Sequence, residues 1–213
     1  YIKLVFMVKD KQEIIQETEG IILDFKGIID FTDNDKLFDF CVQNRDLRIE
    51  RTREGKLNIM LPVGSEGGAK ESLLTIELGI WNKTTKLGTV FGSSTGFTMP
   101  NGAMRSPDTA FIYKDRWESL SFIQKKKFAP ICPDFIIELR SESDNINKLK
   151  EKMREWIANG CPLAWLIDPL EGKAYIYRPN KEIEEITSFS GKLSGENILP
   201  GFELDLSELR EEE

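Results

Sequence analysis

Two Pro-Asp dipeptides, Pro107-Asp108 and Pro133-Asp134, each open an apolar stretch of this 213-residue chain. A third acid, Glu138, lies inside the second stretch, Cys132-Pro-Asp-Phe-Ile-Ile-Glu-Leu-Arg140. Side chains of an extended segment alternate faces. Asp134, Ile136, Glu138 and Arg140 therefore share one face, and Phe135, Ile137 and Leu139 the other. A strand this apolar is interior, where an unpaired carboxylate carries a heavy desolvation cost. Glu138 thus calls for a cation beside it, either a side chain or a metal. An acid that opens one strand and an acid within the next can converge where antiparallel neighbours cross. Two carboxylates at close range repel, and a divalent cation relieves the repulsion. Each Pro-Asp taken singly is also ordinary turn chemistry; Glu138, inside its strand, is not.

The segment after this strand reads as a helix from about Asp144 to Asn159, ended by Gly160 and Pro162. At 100° per residue, Ile146, Leu149, Met153, Trp156, Ile157 and Gly160 form one stripe. Lys152 falls just outside it, so its stem can lie on the core while its ammonium reaches over the sheet edge. Lys148, Lys150 and Arg154 read as an ordinary solvated face. For Lys152 the solvated and the functional readings stand equal.

The residue types present narrow the chemistry further. There is no histidine, which removes Ser-His and Cys-His nucleophilic catalysis and His-based zinc sites. Cys41, Cys132 and Cys161 are odd in number and far apart, fitting buried thiols in a reducing cytosol. Any metal is therefore held by oxygen ligands, which points to magnesium, manganese or calcium. The net charge of −7 argues against a general nucleic-acid coat protein but not against a DNA enzyme with a local basic rim. Lys125-Lys126-Lys127 reads as a solvated loop that would contact phosphates if it bordered the cleft. Trp117, Trp156 and Trp165 read as core.

The elements that must position these residues follow from periodicity. Residues 44–51 and 54–62 read as a hairpin turning near Gly55, and residues 69–83 as a helix with a broad apolar surface. Residues 88–99 and 105–113 read as strands separated by the turn Pro100-Asn-Gly. Residues 114–128 form a polar excursion. Leu163 to Asp168 and Lys173 to Arg178 read as paired strands across Glu171-Gly172, and the acidic tail as a frayed helix. The order gives a mixed α/β, or α+β, architecture in which a central sheet is flanked by two helices. The apolar runs are too short to cross a bilayer. The opening residues, broken by Lys3, show no signal-peptide pattern. A cytoplasmic protein is expected.

In combination the motifs are more specific than any one of them. Ser106-Pro-Asp108, Pro-Asp134-Phe-Ile-Ile-Glu138-Leu-Arg-Ser141, Glu151-Lys152 with Trp156 and Gly160, and Leu163-Ala-Trp-Leu-Ile-Asp-Pro169 occur in that order. Together they resemble the Uma family of restriction-endonuclease-like proteins, within the PD-(D/E)xK nuclease superfamily. The resemblance runs from about Pro62 to Leu206 and includes Glu77, Gly88 and Thr-Gly-Phe-Thr-Met-Pro-Asn-Gly. It implies a restriction-endonuclease-like core at 62–206, with a β-rich N-terminal extension at 1–61 packed on it and an acidic tail at 207–213. It implies further that Asp108 and Glu138 bind Mg²⁺ or Mn²⁺, that Glu77 completes or orients that shell, and that Asp134 flanks it. The implied activity is metal-dependent endonucleolytic hydrolysis of DNA, and a homodimer suits the cutting of both strands. The superfamily's lysine stands two residues after the acid; here that position is Arg140, which cannot carry protons. Lys152 matches the helix position from which this family recruits its lysine. The rival expectation, favoured by Arg140 and the acidic charge, is a catalytically silent module of the same fold that binds metal, nucleic acid or a protein partner.

Overall fold

Residues 109–113, 135–139 and 163–168 are apolar on both faces, and strands of that kind require cover on both sides of their sheet. The computed structural model describes residues 21–25 and 30–210 and supplies that cover. The first part of the chain contains β1 (Ile21–Leu23), α1 (Asn34–Gln43), β2 (Arg48–Arg51), β3 (Leu57–Met60) and α2 (Ser65–Thr85). Next come β4 (Gly88–Gly92), β5 (Phe97–Thr98), β6 (Met104–Arg105), β7 (Thr109–Tyr113), α3 (Lys114–Glu118) and α4 (Phe122–Lys126). Then follow β8 (Phe135–Leu139), α5 (Ile146–Ala158), β9 (Leu163–Asp168), β10 (Lys173–Tyr177) and β11 (Glu184–Ile186). The described chain closes with β12 (Lys192–Ser194), β13 (Glu203–Asp205) and a 3-10 turn at Leu206–Leu209.

The central sheet has six strands in the order β11-β10-β9-β8-β7-β4. Only the β8–β9 pair is parallel, as α5 crosses between those two strands; the other pairs are antiparallel. This is the mixed sheet with flanking helices that the element order implies. Phe135 and Ile137 of β8 pack with Phe111 of β7, Trp165 of β9, and Leu74 and Leu78 of α2. On the opposite face, Ile136, Ala110, Ile112 and Leu166 pack with Met153 and Trp156 of α5. At Gly88 the strand approaches β7 so closely that a Cβ would meet the Ile112 carbonyl oxygen at 2.1 Å.

A second sheet, in the order β1-β3-β2-β6-β5, lies beside the first. Its β2–β3 hairpin turns at Gly55, whose φ of +83° is a backbone region that glycine enters without strain. Residues 88–99 and 105–113 are not the continuous strands that alternation suggests. Each divides its length between the two sheets, β4 and β7 in the large one and β5 and β6 in the small one. The chain changes sheet at Ser106-Pro107-Asp108, where Pro107 has no N–H to donate to either ladder.

The tail also departs from a frayed helix. Leu206 and Leu209 are fully buried in the main core, and residues 211–213 lie outside the described residues, as do 1–20 and 26–29. Cys132 and Cys161 are buried and Cys41 half-buried, all as free thiols. Among the described residues no helix is long and apolar enough to cross a membrane.

Candidate active site

The register of the β7–β8 pair places the two acids. Thr109 faces Ile137, Ala110 faces Ile136 and Phe111 faces Phe135. One step further along the same ladder brings Asp108 opposite Glu138, at a spacing where same-face side chains meet directly. Asp108 is 6 % exposed and Glu138 3 % exposed, so both carboxylates are withdrawn from water. Asp108 Oδ2 accepts the Leu139 N–H at 2.8 Å, and its Oδ1 accepts from Arg48 Nη2 at 3.3 Å.

Helix α5 brings the cation. Asn145 caps its N-terminus by accepting the N–H groups of Asn147 and Lys148. Met153 and Trp156 seat the helix in the core. Lys152, one residue before Met153, bends over that apolar seam to the carboxylate cluster. Its Nζ lies 2.9 Å from Glu138 Oε1 and 3.0 Å from Glu138 Oε2. It also lies 3.0 Å from Glu50 Oε1. The Trp156 indole N–H donates to Glu138 Oε1 at 3.0 Å, so this tryptophan is a core residue with one polar end in the site.

Electrostatics separate the acids. Burial raises the proton affinity of Glu138; Lys152 opposes the rise and Asp108 and Glu50 add to it, leaving Glu138 at about 7. Asp108 is raised too, by burial, against the pull of Lys152, the Leu139 N–H and Arg48. Burial would also raise Glu50, but Lys152 and Arg105 reverse the effect and hold it at about 2. Lys152 is held firmly protonated: burial opposes its charge, and Glu138, Glu50 and Asp108 outweigh it. A lysine in that state donates hydrogen bonds and charge but does not serve as a general base.

These groups line a cleft of about 920 Å³. Asp108, Glu138, Glu50, Glu71 and Glu155 contribute negative charge, and Arg48, Arg105 and Lys152 positive charge, which leaves the cluster net acidic. Arg53, Lys148 and Arg154 add basic side chains to the walls, and Glu54, Asp144 and Glu151 acidic ones. Among the described residues no three acids or thiols already converge as a complete ligand set. The donor types nevertheless suit a hard cation. Mg²⁺ is commonly held by one or two carboxylates with water filling the remaining positions. Asp108 and Glu138, two buried and mutually repelling carboxylates with raised proton affinity, provide such a pair.

The structure therefore brings together Asp108, Glu138 and Lys152. It does not bring Glu77 to them. The acid of α2 that lines the cleft is Glu71, and a residue six positions on points about 240° further round a helix. Glu71 is half-buried and raised in pKa, first by burial and then by Asp108. Asp134 lies at the other end of β8, where it accepts the Tyr113 N–H at 2.9 Å and Arg116 Nη1 at 2.5 Å. Arg140 is bound to the fully buried Asp168 at 2.7 Å and does not line the cleft. Lys125, Lys126 and Lys127 are likewise outside the cleft lining, and Lys127 pairs with Asp35 at 2.8 Å.

Sequence reasoning missed Glu50, Arg48, Arg105, Glu155 and Glu71. Glu50 carried the same signal as Glu138, an acid inside a strand. Its neighbours in Arg48-Ile-Glu-Arg51 are themselves charged, and a charged strand looks solvated. In the fold Arg51 is only 2 % exposed, and it donates to the carbonyls of Phe31 and Gly102 at 2.5 and 2.6 Å.

No curated protein matches the chain. A solved structure, "a putative nuclease belonging to DUF820" from Anabaena variabilis, aligns with a TM-score of 0.64 at 19 % identity, covering 76 % of this chain and 88 % of that one. At that identity the likeness speaks for the fold, and it agrees with the mixed sheet and its flanking helices. Residues 35–207, which take in the central sheet, the second sheet apart from β1, and every residue of the carboxylate cluster, match the model of the Uma2 family, described as "Putative restriction endonuclease", and the chain belongs to that family.

Proposed function

We propose that the protein is a divalent-metal-dependent endonuclease that hydrolyses DNA phosphodiester bonds at Asp108, Glu138 and Lys152. One observation carries the proposal: two buried carboxylates at facing positions of an antiparallel pair, with a lysine ammonium 2.9 Å from one of them. Asp108 and Glu138 would hold Mg²⁺ or Mn²⁺, with Glu71, an acid of the cleft that interacts electrostatically with Asp108, as a further candidate. When bound, the ion would polarise a phosphate oxygen and lower the pKa of a water molecule. The chain's own groups supply the remainder. Lys152, held protonated, donates to negative charge that develops at the phosphorus and orients the attacking water. Trp156 fixes the rotamer of Glu138 through its indole N–H. Arg48 lines the cleft with a partly exposed guanidinium beside Asp108, where its outer nitrogen can donate to a substrate phosphate. Arg53, Lys148 and Arg154 place further cations along the cleft, interspersed with Glu54, Asp144 and Glu151, and would serve as phosphate contacts to a strand. Cleavage of both strands of a duplex would suit a two-fold dimer, and the three free thiols suit a reducing compartment such as the cytoplasm.

The silent-module alternative has two supports, Arg140 in the usual lysine position and the net charge of −7, and the structure bears on the first. Arg140 is committed to Asp168, and Lys152 occupies the place beside Glu138, which favours an active site. Supercoiled plasmid incubated with Mn²⁺ or Mg²⁺ provides the test. Wild type should nick and linearise it, chelator should stop the reaction, and Asp108→Ala should be inert. Equal conversion by wild type and Asp108→Ala would remove the assignment. Parallel arms with RNA and a phosphomonoester separate DNA hydrolysis from other phosphate-ester chemistry.

A further inference from the structure

We infer that Glu50, on strand β2 of the second sheet, is a positioning residue that keeps the Lys152 ammonium in the site independently of Glu138. The inference rests on the nuclease proposal and adds to it a part of the chain outside the segment that carries the acid-acid-lysine motif.

Lys152 touches two carboxylates, and the two are not equivalent. Glu138 faces Asp108 and is a group that a divalent ion would engage. Glu50 is fully committed to protein. Its Oε1 accepts the Ser106 N–H at 2.9 Å and lies 3.0 Å from Lys152 Nζ, while its Oε2 accepts from Arg105 Nη1 at 3.0 Å. Its side chain is 2 % exposed. Glu50 therefore stays a counterion of Lys152 whatever Glu138 binds.

The support for Glu50 continues outward. Arg105 Nε donates to Glu155 Oε2 at 2.8 Å, and Asn101 Nδ2 donates to Glu155 Oε1 at 3.0 Å. Glu155 and Lys152 both belong to α5, so β2 and α5 are joined twice, once through Arg105 and once through Lys152. The Ser106 N–H held by Glu50 belongs to the segment where the chain changes sheet, two residues before Asp108. Glu50 thus orients the lysine and, by the same carboxylate, ties down the backbone that leads into the first acid. A lysine side chain has four rotatable bonds and loses much of its freedom when it is fixed. Two carboxylates at about 3 Å hold it in one place, and one alone would leave it free to turn with Glu138.

Two variants and one wild-type measurement test the inference. Glu50→Gln removes the charge and keeps the volume. Glu50→Asp keeps the charge beside Arg105 and draws it back from Lys152, so that a folded variant remains if Glu50→Gln is unstable. The first readout is acylation of Lys152 by an amine-reactive ester, followed by mass spectrometry and scaled to the exposed Lys126 and Lys181. In wild type Lys152 should be protected, and should stay protected at saturating Mn²⁺. In either variant its labelling should rise several-fold, most of all with Mn²⁺ present. The second readout is plasmid cleavage: kcat should fall about 10- to 100-fold, as for other outer partners of a metal site, with KM nearly unchanged. Lys152 labelling that rises to the Lys126 level when Mn²⁺ is added to wild type would overturn the inference. So would unchanged labelling and kcat in a folded variant. Failure of wild type to bind Mn²⁺ in a calorimetric titration would instead remove the proposed function, and the role of Glu50 with it.

Discussion

Asp108 and Asp134 are the same motif used twice. Each follows a proline, each is 6 % exposed, and each caps the end of the neighbouring strand. Asp108 accepts the Leu139 N–H at 2.8 Å where β8 ends, and Asp134 accepts the Tyr113 N–H at 2.9 Å where β7 ends. The β7–β8 pair is thus close to two-fold symmetric in its backbone caps. The surroundings break the symmetry. Asp134 finds an arginine, Arg116, and is left as a local ion pair. Asp108 finds a second carboxylate, Glu138, with the nearest arginine at 3.3 Å and a shared lysine. A Pro-Asp that opens a strand satisfies backbone geometry in both places. What sets Asp108 apart is that the facing strand brings a second acid, Glu138, to the same face, where one lysine is divided between Glu138 and Glu50.

Neutralising each aspartate in turn should separate the two roles. Asp108→Asn should lower plasmid cleavage by at least about a hundredfold, as expected when an electrostatic partner of the transition state is lost, and should leave folding intact. Asp134→Asn should retain cleavage while costing about 1–3 kcal/mol of stability through its lost charge-assisted hydrogen bonds. Denaturant titration and cleavage assays on both variants decide the matter, and a reversed pattern would place the site at the wrong end of β8.

The second comparison sets Lys152 against Arg140. Lys152→Met should abolish most cleavage. Arg140→Gln should leave the specific activity of folded protein unchanged and cost about 3–5 kcal/mol, because Asp168 is then a buried charge without its partner.

Glu50 gives a pH signature. Its proton affinity is lowered from the ordinary 4.5 to about 2, so its contribution to stability is present above pH 4.5 and is lost as pH falls towards 2. Wild type should exceed Glu50→Gln by up to about 3 kcal/mol at neutral pH, and the gap should close on acidification through that window. The smallest effect expected is that of Trp156→Phe. Loss of the indole N–H to Glu138 should cost about 1–2 kcal/mol and lower kcat modestly.

The sequence made the middle of the molecule legible, and physical reasons explain where that stopped. Short continuous apolar runs identified β8 and β9, and helical periodicity put Lys152 at the edge of the α5 stripe, because those elements are covered by core on the faces they bury. Asp108 and Glu138 were legible as acids at the start of one apolar strand and inside the next. Residues 88–113 were harder, since alternation reports burial but not which of two sheets a strand joins. The small sheet hid its contribution for a related reason. Inside the fold Glu50 pairs with Arg105 and Lys152, while Arg51 is satisfied by the carbonyls of Phe31 and Gly102, and buried charges satisfied in this way have the composition of a surface. Glu71 and Glu77 lie on one helix, and only the placement of α2 relative to β7 shows which of them turns to the cleft.

If the site is where the two strands bring their acids together, the Asp108–Glu138 pair, and not Asp134, receives a divalent ion. Calorimetric titration of Mn²⁺ into wild type, Asp108→Asn and Asp134→Asn at pH 8 measures this. One ion per chain in wild type and in Asp134→Asn, with binding lost in Asp108→Asn, is the predicted result. Binding that survives Asp108→Asn, or disappears in folded Asp134→Asn, would contradict it.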